Sequence, residues 1–270
     1  MAASQILITA LGHELRRRAD PSKAPAMQAY MKSSMPYHGV PTQPLREIQR
    51  QVFAAHPLSD FETWRDTALA LWRGARFREE RYCAIGLTGF KAYERLQTLA
   101  TLPMYEEMIV TGAWWDYVDG IASDRLGPLL RRHPAAMKRR MRQWSRCDNL
   151  WKRRAAILCQ LTFKGDTDLE LLYECIRPNL ADREFFMRKA IGWALRQYAW
   201  TDPAEIVRYV RAHAAELSPL SRREALKNVR RGAAAPSRGR PSRGQSAPRA
   251  GRSSRRGAAG GRKPSARRRG

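Results

Sequence analysis

The sequence has 270 residues, of which 43% are hydrophobic and eight are tryptophan, and it carries a formal net charge of +25 with a pI near 11.0. This apolar content excludes a wholly disordered chain, and no run reaches the roughly 20 apolar residues that a membrane span needs. The excess of 50 Lys and Arg over 25 Asp and Glu favours a polyanionic partner, nucleic acid first and an anionic membrane surface second.

The first predicted element is an amphipathic helix within residues 1–18, which ends in three arginines and lacks the basic start of a secretory signal. Further along the chain, apolar residues recur at helical spacing, and Pro, Gly and Asp separate the segments. The clearest of these segments are 60–72, 102–110, 155–163, 169–176 and 204–213. No segment alternates convincingly as a strand does, so the sequence predicts an all-α fold.

Composition changes abruptly near Arg231. Residues 231–270 contain 13 Lys and Arg, no acid and no aromatic residue, which leaves +12 of the total charge of +25 on residues 1–230. We expect residues 1–230 to fold and residues 231–270 to form a disordered basic tail. The tail is either a solubilising linker or an arm that adds salt-sensitive affinity for phosphates, and the basic body favours the arm.

Four helical segments share a register when they are aligned on Ile85, Ile121, Ile157 and Ile191, at intervals of 36, 36 and 34 residues. Each unit is long enough for two antiparallel helices, which is typical of an α-solenoid. A chance spacing of common isoleucines is the alternative. The Trp, Leu-Gly and Tyr pattern of a tetratricopeptide is absent, so HEAT-like helix pairs fit better.

Charged residues precede the four isoleucines, and equivalent positions of a solenoid line one surface, usually the concave one. We therefore expect a basic groove that is interrupted by one acid. The residues expected to line this groove are Arg81, Asp119, Arg154 and Lys189.

The segment around the acid contains two tryptophans and two aspartates. Trp115 lies four residues before Asp119 on one helix face, whereas Trp114 pairs with Val118 on a more apolar face. We expect Trp115 and Asp119 to face the groove, and Asp116 to serve the solvent side or the first turn of the helix. Simple core packing is the alternative for each tryptophan.

The cysteines and histidines indicate no metal site. None of the four cysteines forms a CxxC pair, and the five histidines are scattered along the chain. Buried, reduced thiols in a cytoplasmic protein are the favoured interpretation, ahead of zinc ligands or disulfides. We expect neither a metal nor a cofactor.

Five ordered blocks resemble the bacterial DNA alkylation repair proteins of the AlkD type, which are HEAT-like-repeat DNA glycosylases. The resemblance runs over residues 13–230 or so. Its blocks are AYMKSSMPYHGV (29–40), WWDYVD (114–119), SRCDNLWKRRAAILCQL (145–161), EFFMRKAIGWALRQY (184–198) and PLSRREALKNV (219–229).

The resemblance implies an enzyme that grips duplex DNA and cuts the N-glycosidic bond of N3- and N7-alkylated purines without drawing the base into a pocket. It assigns catalysis to Trp115, Asp119 and Trp193, and DNA contacts to Arg154 and Tyr30. It implies no nucleophilic lysine, so we expect a monofunctional glycosylase. We also expect a cytoplasmic bacterial protein that associates with the nucleoid through DNA and is by default a monomer.

The chemistry fits these residue types. A purine alkylated on a ring nitrogen is already a cationic leaving group, so it needs no general acid. A carboxylate can stabilise the positive charge that develops on the sugar and can orient water, and indole faces add cation–π attraction. Two rival interpretations are a non-enzymatic DNA-binding solenoid and a protein-interaction scaffold, the commonest role of α-solenoids.

Overall fold

The computed structural model describes residues 3–229. Within them the chain forms fourteen α-helices and no strand, which confirms the predicted all-α, helical-repeat fold. The expected basic tail, residues 231–270, lies outside the described residues, so the boundary at residue 230 stays a prediction. The helices are α1 (Gln5–Arg17), α2 (Ala24–Met31), α3 (Thr42–Ala55), α4 (Phe61–Gly74), α5 (Arg78–Thr88), α6 (Leu102–Gly112), α7 (Trp115–Ile121), α8 (Gly127–Arg132), α9 (Pro134–Trp144), α10 (Leu150–Leu158), α11 (Leu169–Ile176), α12 (Phe185–Tyr198), α13 (Pro203–Ala212) and α14 (Pro219–Ala225).

Side-chain caps fix where many of these helices begin. An oxygen of the residue before the helix accepts a hydrogen bond from a backbone N–H of the first turn, which would otherwise lack a partner. In α13 and α14 a proline follows the cap directly, at a position where its missing N–H costs nothing. The capping residues are Ser4, Asp60, Asn149, Asp168, Asp202 and Ser218.

Helix α10 ends at Leu158, earlier than its apolar pattern does. The side chain of Gln160 donates to the carbonyl of Asp168 at 3.0 Å and accepts from the N–H of the same residue at 2.8 Å. This pair of bonds holds the loop between α10 and α11 in a turn. The apolar residues of the pattern that follow Leu158 therefore lie in this loop.

The helices pack in two layers. Helices α5, α7, α10, α12 and α14 form a central series, in which each helix packs against the next. Helices α4 and α6, and α9 and α11, pack beside one another in the second layer. The four isoleucines that set the repeat register lie on α5, α7, α10 and α12. The repeat register therefore identifies four successive members of the central series.

The cysteines lie where their apolar neighbours predict. Cys83, Cys159 and Cys175 are buried, Cys147 is partly exposed, and all four are free thiols. Burial raises the pKa of Cys83 to about 12, which keeps that thiol protonated. No helix within residues 3–229 is long and apolar enough to cross a membrane, and no group of three or more His, Cys, Asp or Glu in that range could hold a metal ion.

Candidate active site

A pocket of about 400 Å³ opens between α2, α7, α10 and α12. Six of the seven residues singled out from the sequence line it, although they come from four separate helices. The exception is Arg81 of α5. Its guanidinium lies 4.6 Å from the centroid of the Trp72 ring of α4, away from the pocket lining. The lining residues are Tyr30, Trp115, Asp119, Arg154, Phe185, Phe186, Lys189, Trp193 and Arg196.

The start of α7 decides which tryptophan reaches the pocket. Trp114 has extended backbone and packs its ring against Trp151 and Phe186, with centroid distances of 6.3 and 5.3 Å. Trp115 is the first residue of α7, and Asp119 follows it on the same helix face. Trp114 therefore supports the wall from behind, while Trp115 and Asp119 form its lining.

Asp119 binds Arg154 through both carboxylate oxygens. The Nε of Arg154 donates to Oδ1 at 2.7 Å and Nη2 donates to Oδ2 at 2.8 Å, while Nη1 donates to the carbonyl of Phe186. The exposed fraction is 7% for Asp119 and 3% for Arg154. The resemblance implies a DNA phosphate as the partner of Arg154, whereas its partner in the free protein is the carboxylate of Asp119.

The surroundings of Asp119 act on its pKa in opposite directions. Burial raises the pKa above the ordinary value for aspartate, and hydrogen bonding and attraction from Arg154 counteract that rise. The charge of Asp116, on the preceding turn, adds to the rise. Arg154 therefore favours the ionised carboxylate in a site that would otherwise favour the neutral acid.

The opposite wall of the pocket carries cations that share one buried acid. Lys189, Trp193 and Arg196 lie on α12, and Glu224 lies on α14 behind them. The Nζ of Lys189 is 3.1 Å from Oε1 of Glu224, and Nη1 of Arg196 is 2.6 Å from Oε2. These ion pairs hold two cations at the lining, where an anion entering the pocket would meet them.

Asp116 lies in the first turn of α7, which is one of the two places expected for it, but it does not face the solvent. Its side chain is only 12% exposed and binds Arg78 of α5. Nη2 of Arg78 is 2.7 Å from each carboxylate oxygen, and the hydroxyl of Tyr82 donates to Oδ2 at 2.6 Å. The physical reason is that the buried guanidinium of Arg78 needs an acid, and Asp116 is the acid that α7 presents to it.

Sequence reasoning missed three lining residues, Phe185, Phe186 and Arg196. Arg196 had a signal, because it lies seven residues, or two helical turns, after Lys189 and shares its face. Phe185 is 52% exposed and Tyr30 is 78% exposed, so two aromatic side chains are unusually open at this pocket. An apolar spacing rule cannot find such residues, because it assigns aromatic side chains to the core.

A larger open pocket, of about 880 Å³, lies between α1 and α3. Its lining contains no tryptophan and no buried charged residue. The acid there, Glu14, pairs with Arg17 on the same helix at 2.7 Å, in an exposed position of little energetic weight. The smaller pocket is therefore the better candidate for chemistry.

Comparisons with known proteins show what the chain as a whole is similar to. The model of the family described as DNA alkylation repair enzyme matches residues 11–229. A solved structure described as a predicted DNA alkylation repair enzyme from Enterococcus faecalis is 29% identical, with a TM-score of 0.69 over 78% of this chain and 96% of that one. The crystal structure of smu.31 from Streptococcus mutans UA159 is 16% identical, with a TM-score of 0.53 over 68% of this chain and 92% of that one, and shows similarity of fold alone. No curated protein matches the chain.

Proposed function

The chain belongs to the family of DNA alkylation repair enzymes, and from that premise we propose that it is a monofunctional alkylpurine DNA glycosylase. Its substrates are cationic N3- and N7-alkylated purines in duplex DNA, and its reaction is hydrolysis of the N-glycosidic bond. The base is not extruded into a binding pocket. The helices that carry the site are proposed to be HEAT-like repeats.

One observation carries this proposal: a buried carboxylate and two indole side chains line the same pocket as three cations. Asp119, Trp115 and Trp193 suit a positive charge that develops on a sugar. Lys189 and Arg196 suit the phosphates on either side of that sugar. A surface that only neutralised phosphates would gain nothing from the acid.

In the proposed reaction, the electron pair of the N-glycosidic bond leaves with the alkylated base. The cationic purine becomes neutral, so no acid has to donate a proton to it. The sugar becomes positive at C1′ as the bond breaks, and the carboxylate of Asp119 stabilises that charge. Water then adds its oxygen to C1′ and loses a proton to solvent or to Asp119, which leaves an abasic site.

Asp119 can act while it is paired, because a carboxylate offers about four lone-pair directions and Arg154 uses two of them. Arg154 also counteracts the rise in the pKa of Asp119 that burial causes, and so favours the ionised carboxylate. This geometry gives the acid a fixed direction before DNA arrives, which is what electrostatic catalysis requires.

A second function, a DNA-binding clamp without catalysis, is favoured by one observation. Asp119 is 7% exposed and already has a cationic partner, as a purely structural acid would have. In a clamp, the aromatic side chains would read the shape of DNA and the acid would only hold Arg154 in place.

Incubation of the full chain with methylated duplex DNA separates these functions. The glycosylase is expected to release 7-methylguanine and 3-methyladenine and to leave intact strands with abasic sites. The matched control is unmethylated duplex, from which nothing should be released. If the protein binds methylated DNA and releases no base, the clamp is correct and the glycosylase proposal fails.

A further inference from the structure

The second acid of α7 belongs to a buried network that crosses three parts of the chain. The guanidinium of Arg78 lies 4.2 Å from the centroid of the Tyr117 ring, and its Nε donates to the hydroxyl of Tyr82 at 3.2 Å. The same guanidinium binds both oxygens of Asp116. The hydroxyls of Tyr82 and Tyr37 lie 3.0 Å apart, which extends the network to the chain before α3.

The other side of Arg78 faces the chain that follows α2. Nη1 of Arg78 donates to Oγ of Ser33 at 3.2 Å, and the backbone N–H of Arg78 donates to the carbonyl of Pro36 at 2.9 Å. Ser33 comes three residues after Tyr30, which lines the pocket. Arg78 therefore connects the chain beside Tyr30 with the first turn of α7.

The residue after Arg78 strengthens this connection. Glu79 is fully buried, and its carboxylate accepts hydrogen bonds of 2.9–3.0 Å from the backbone N–H groups of His38, Gly39 and Val40. Gly39 has a φ of +82°, which only glycine adopts without strain, so the chain is bent to present these donors. Two consecutive residues of α5 thus fix both ends of the α2–α3 connection.

We propose that Asp116 and Arg78 are positioning residues for base excision, which hold Trp115 and Asp119 on α7 at a set distance from Tyr30 across the pocket. The proposal rests on the proposed glycosylase function. Neither residue lines the pocket, so each acts through its neighbours. One nitrogen of Arg78, Nη2, contacts both oxygens of Asp116, while Nε and Nη1 bind Tyr82 and Ser33. These charged hydrogen bonds fix direction as well as distance, which an apolar contact does not.

The size of the expected effect follows from geometry. An active site that depends on preorganised charge loses about a hundredfold in rate when a group is displaced by about 1 Å. Asp116→Asn keeps the shape of the side chain and removes the charge that binds Arg78. Ser33→Ala removes the bond on the other side of Arg78 and two local bonds to Met35, but it leaves the ion pair with Asp116 in place. It should therefore act in the same direction with a smaller effect.

The test measures excision under single-turnover conditions, with enzyme in excess over methylated duplex, beside affinity for undamaged duplex. Asp116→Asn is expected to lower the excision rate about tenfold to a hundredfold at unchanged affinity. Glu107→Gln is the matched control, because Glu107 is bound by Nε and Nη2 of Arg73, both at 2.6 Å, in a pair outside the pocket. The control should lower neither quantity.

Hydrogen exchange of the same variants reports on the connection without any need for catalysis. Asp116→Asn should speed exchange in residues 33–40 and in α7, and Glu107→Gln should not. An Asp116→Asn protein that excises at the wild-type rate overturns the proposal. A parallel loss of excision rate, affinity and folded fraction also overturns it, because that result indicates a pair with only a structural role. If wild type releases no base, the proposed function fails, and the positioning role in excision fails with it. The exchange data then still show whether the pair of Asp116 and Arg78 joins residues 33–40 to α7.

Discussion

The two walls of the pocket are built with opposite charges. On α7 the side chains are acids, and each is held by an arginine from another helix: Asp116 by Arg78 and Asp119 by Arg154. On α12 the charged side chains at the pocket are the cations Lys189 and Arg196, and both are held by one acid of α14, Glu224. Each charged side chain is therefore paired with an opposite charge from a neighbouring helix, and of the α7 acids only Asp119 lines the pocket itself.

The difference between the walls shows how a strongly basic protein can maintain an acid beside DNA. The α12 wall is more exposed, so its cations remain available to phosphates. The acid of the α7 wall is buried and directed by its arginine, as the proposed role beside the sugar requires. Breaking one holding contact at a time tests whether the two walls have these separate roles.

The largest expected effect comes from Arg154→Ala, which leaves Asp119 buried without a cation. Removing one partner of a buried ion pair typically costs about 3–5 kcal/mol of stability. We expect the free energy of unfolding in urea at neutral pH to fall by about that amount. Arg153→Ala is the control, because Arg153 is the next residue of α10, binds Asp182 at 2.8 Å and does not line the pocket. A smaller loss for Arg154→Ala than for Arg153→Ala would contradict the account.

The same substitution should shift the pH dependence of excision. The proposed reaction requires ionised Asp119, so its rate should fall as pH decreases through the pKa of that carboxyl group. Burial raises this pKa and Arg154 counteracts the rise, so removal of Arg154 raises it further. The acidic limb of the rate profile should move to higher pH in Arg154→Ala and stay in place in Arg153→Ala. An unmoved limb in Arg154→Ala would show that Asp119 is not the group that titrates.

The α12 wall should lose less when its holding acid is removed. Glu224→Gln is expected to cost about 1.5–3 kcal/mol at neutral pH, the usual value for hydrogen bonds to charged groups. Burial raises the pKa of Glu224, but the bonds from Lys227 and Lys189 together with their positive charges outweigh it and hold the pKa below its ordinary value. The stability from Glu224 is thus complete above the ordinary carboxyl pKa and disappears as pH falls through the lowered one. Urea unfolding of both proteins should converge in acid, and a difference that persists there would contradict the ion-pair explanation.

The smallest effects test how closely the helix of each wall is packed against its own neighbours. A Cβ on Gly192 of α12 would lie 2.5 Å from Cβ of Glu224 and 2.9 Å from the carbonyl oxygen of Ser221. Gly192→Ala should therefore destabilise by about 1–3 kcal/mol. On α7, a Cβ on Gly120 meets no atom within 4 Å, so Gly120→Ala should stabilise by about 0.4–1 kcal/mol. Thermal unfolding measures both. A Gly192→Ala protein as stable as wild type would contradict the close contact between α12 and α14, and a destabilised Gly120→Ala protein would contradict the open space at Gly120.

The sequence predicted the positions along each helix better than the contacts between helices. Spacing placed Trp115 and Asp119 on one face of α7, and the repeat register placed Arg154 and Lys189 on later helices of the central series. Both inferences need only the regular turn of a helix. The partners of Asp119 and Asp116 lie 35 and 38 residues away in sequence, and which side chains meet over that separation depends on packing that no local pattern records.

Arg81 shows where the register argument is too coarse. It precedes its isoleucine by four residues, whereas Asp119 and Lys189 precede theirs by two. At about 100° per residue, these offsets differ by about 200°, so the side chains leave opposite faces of equivalent helices. Arg81 accordingly lies against Trp72 and Tyr117 and does not line the pocket.

The central claim is that Asp119 stabilises the charge that forms on the sugar during excision. The most direct measurement is single-turnover release of 7-methylguanine from methylated duplex by wild type and by Asp119→Asn, beside the affinity of each for the same DNA. We expect the rate to fall by about 10² to 10³ while affinity is maintained or improved, because removing one preorganised electrostatic group has that cost. An Asp119→Asn protein that releases the base as fast as wild type would contradict the claim.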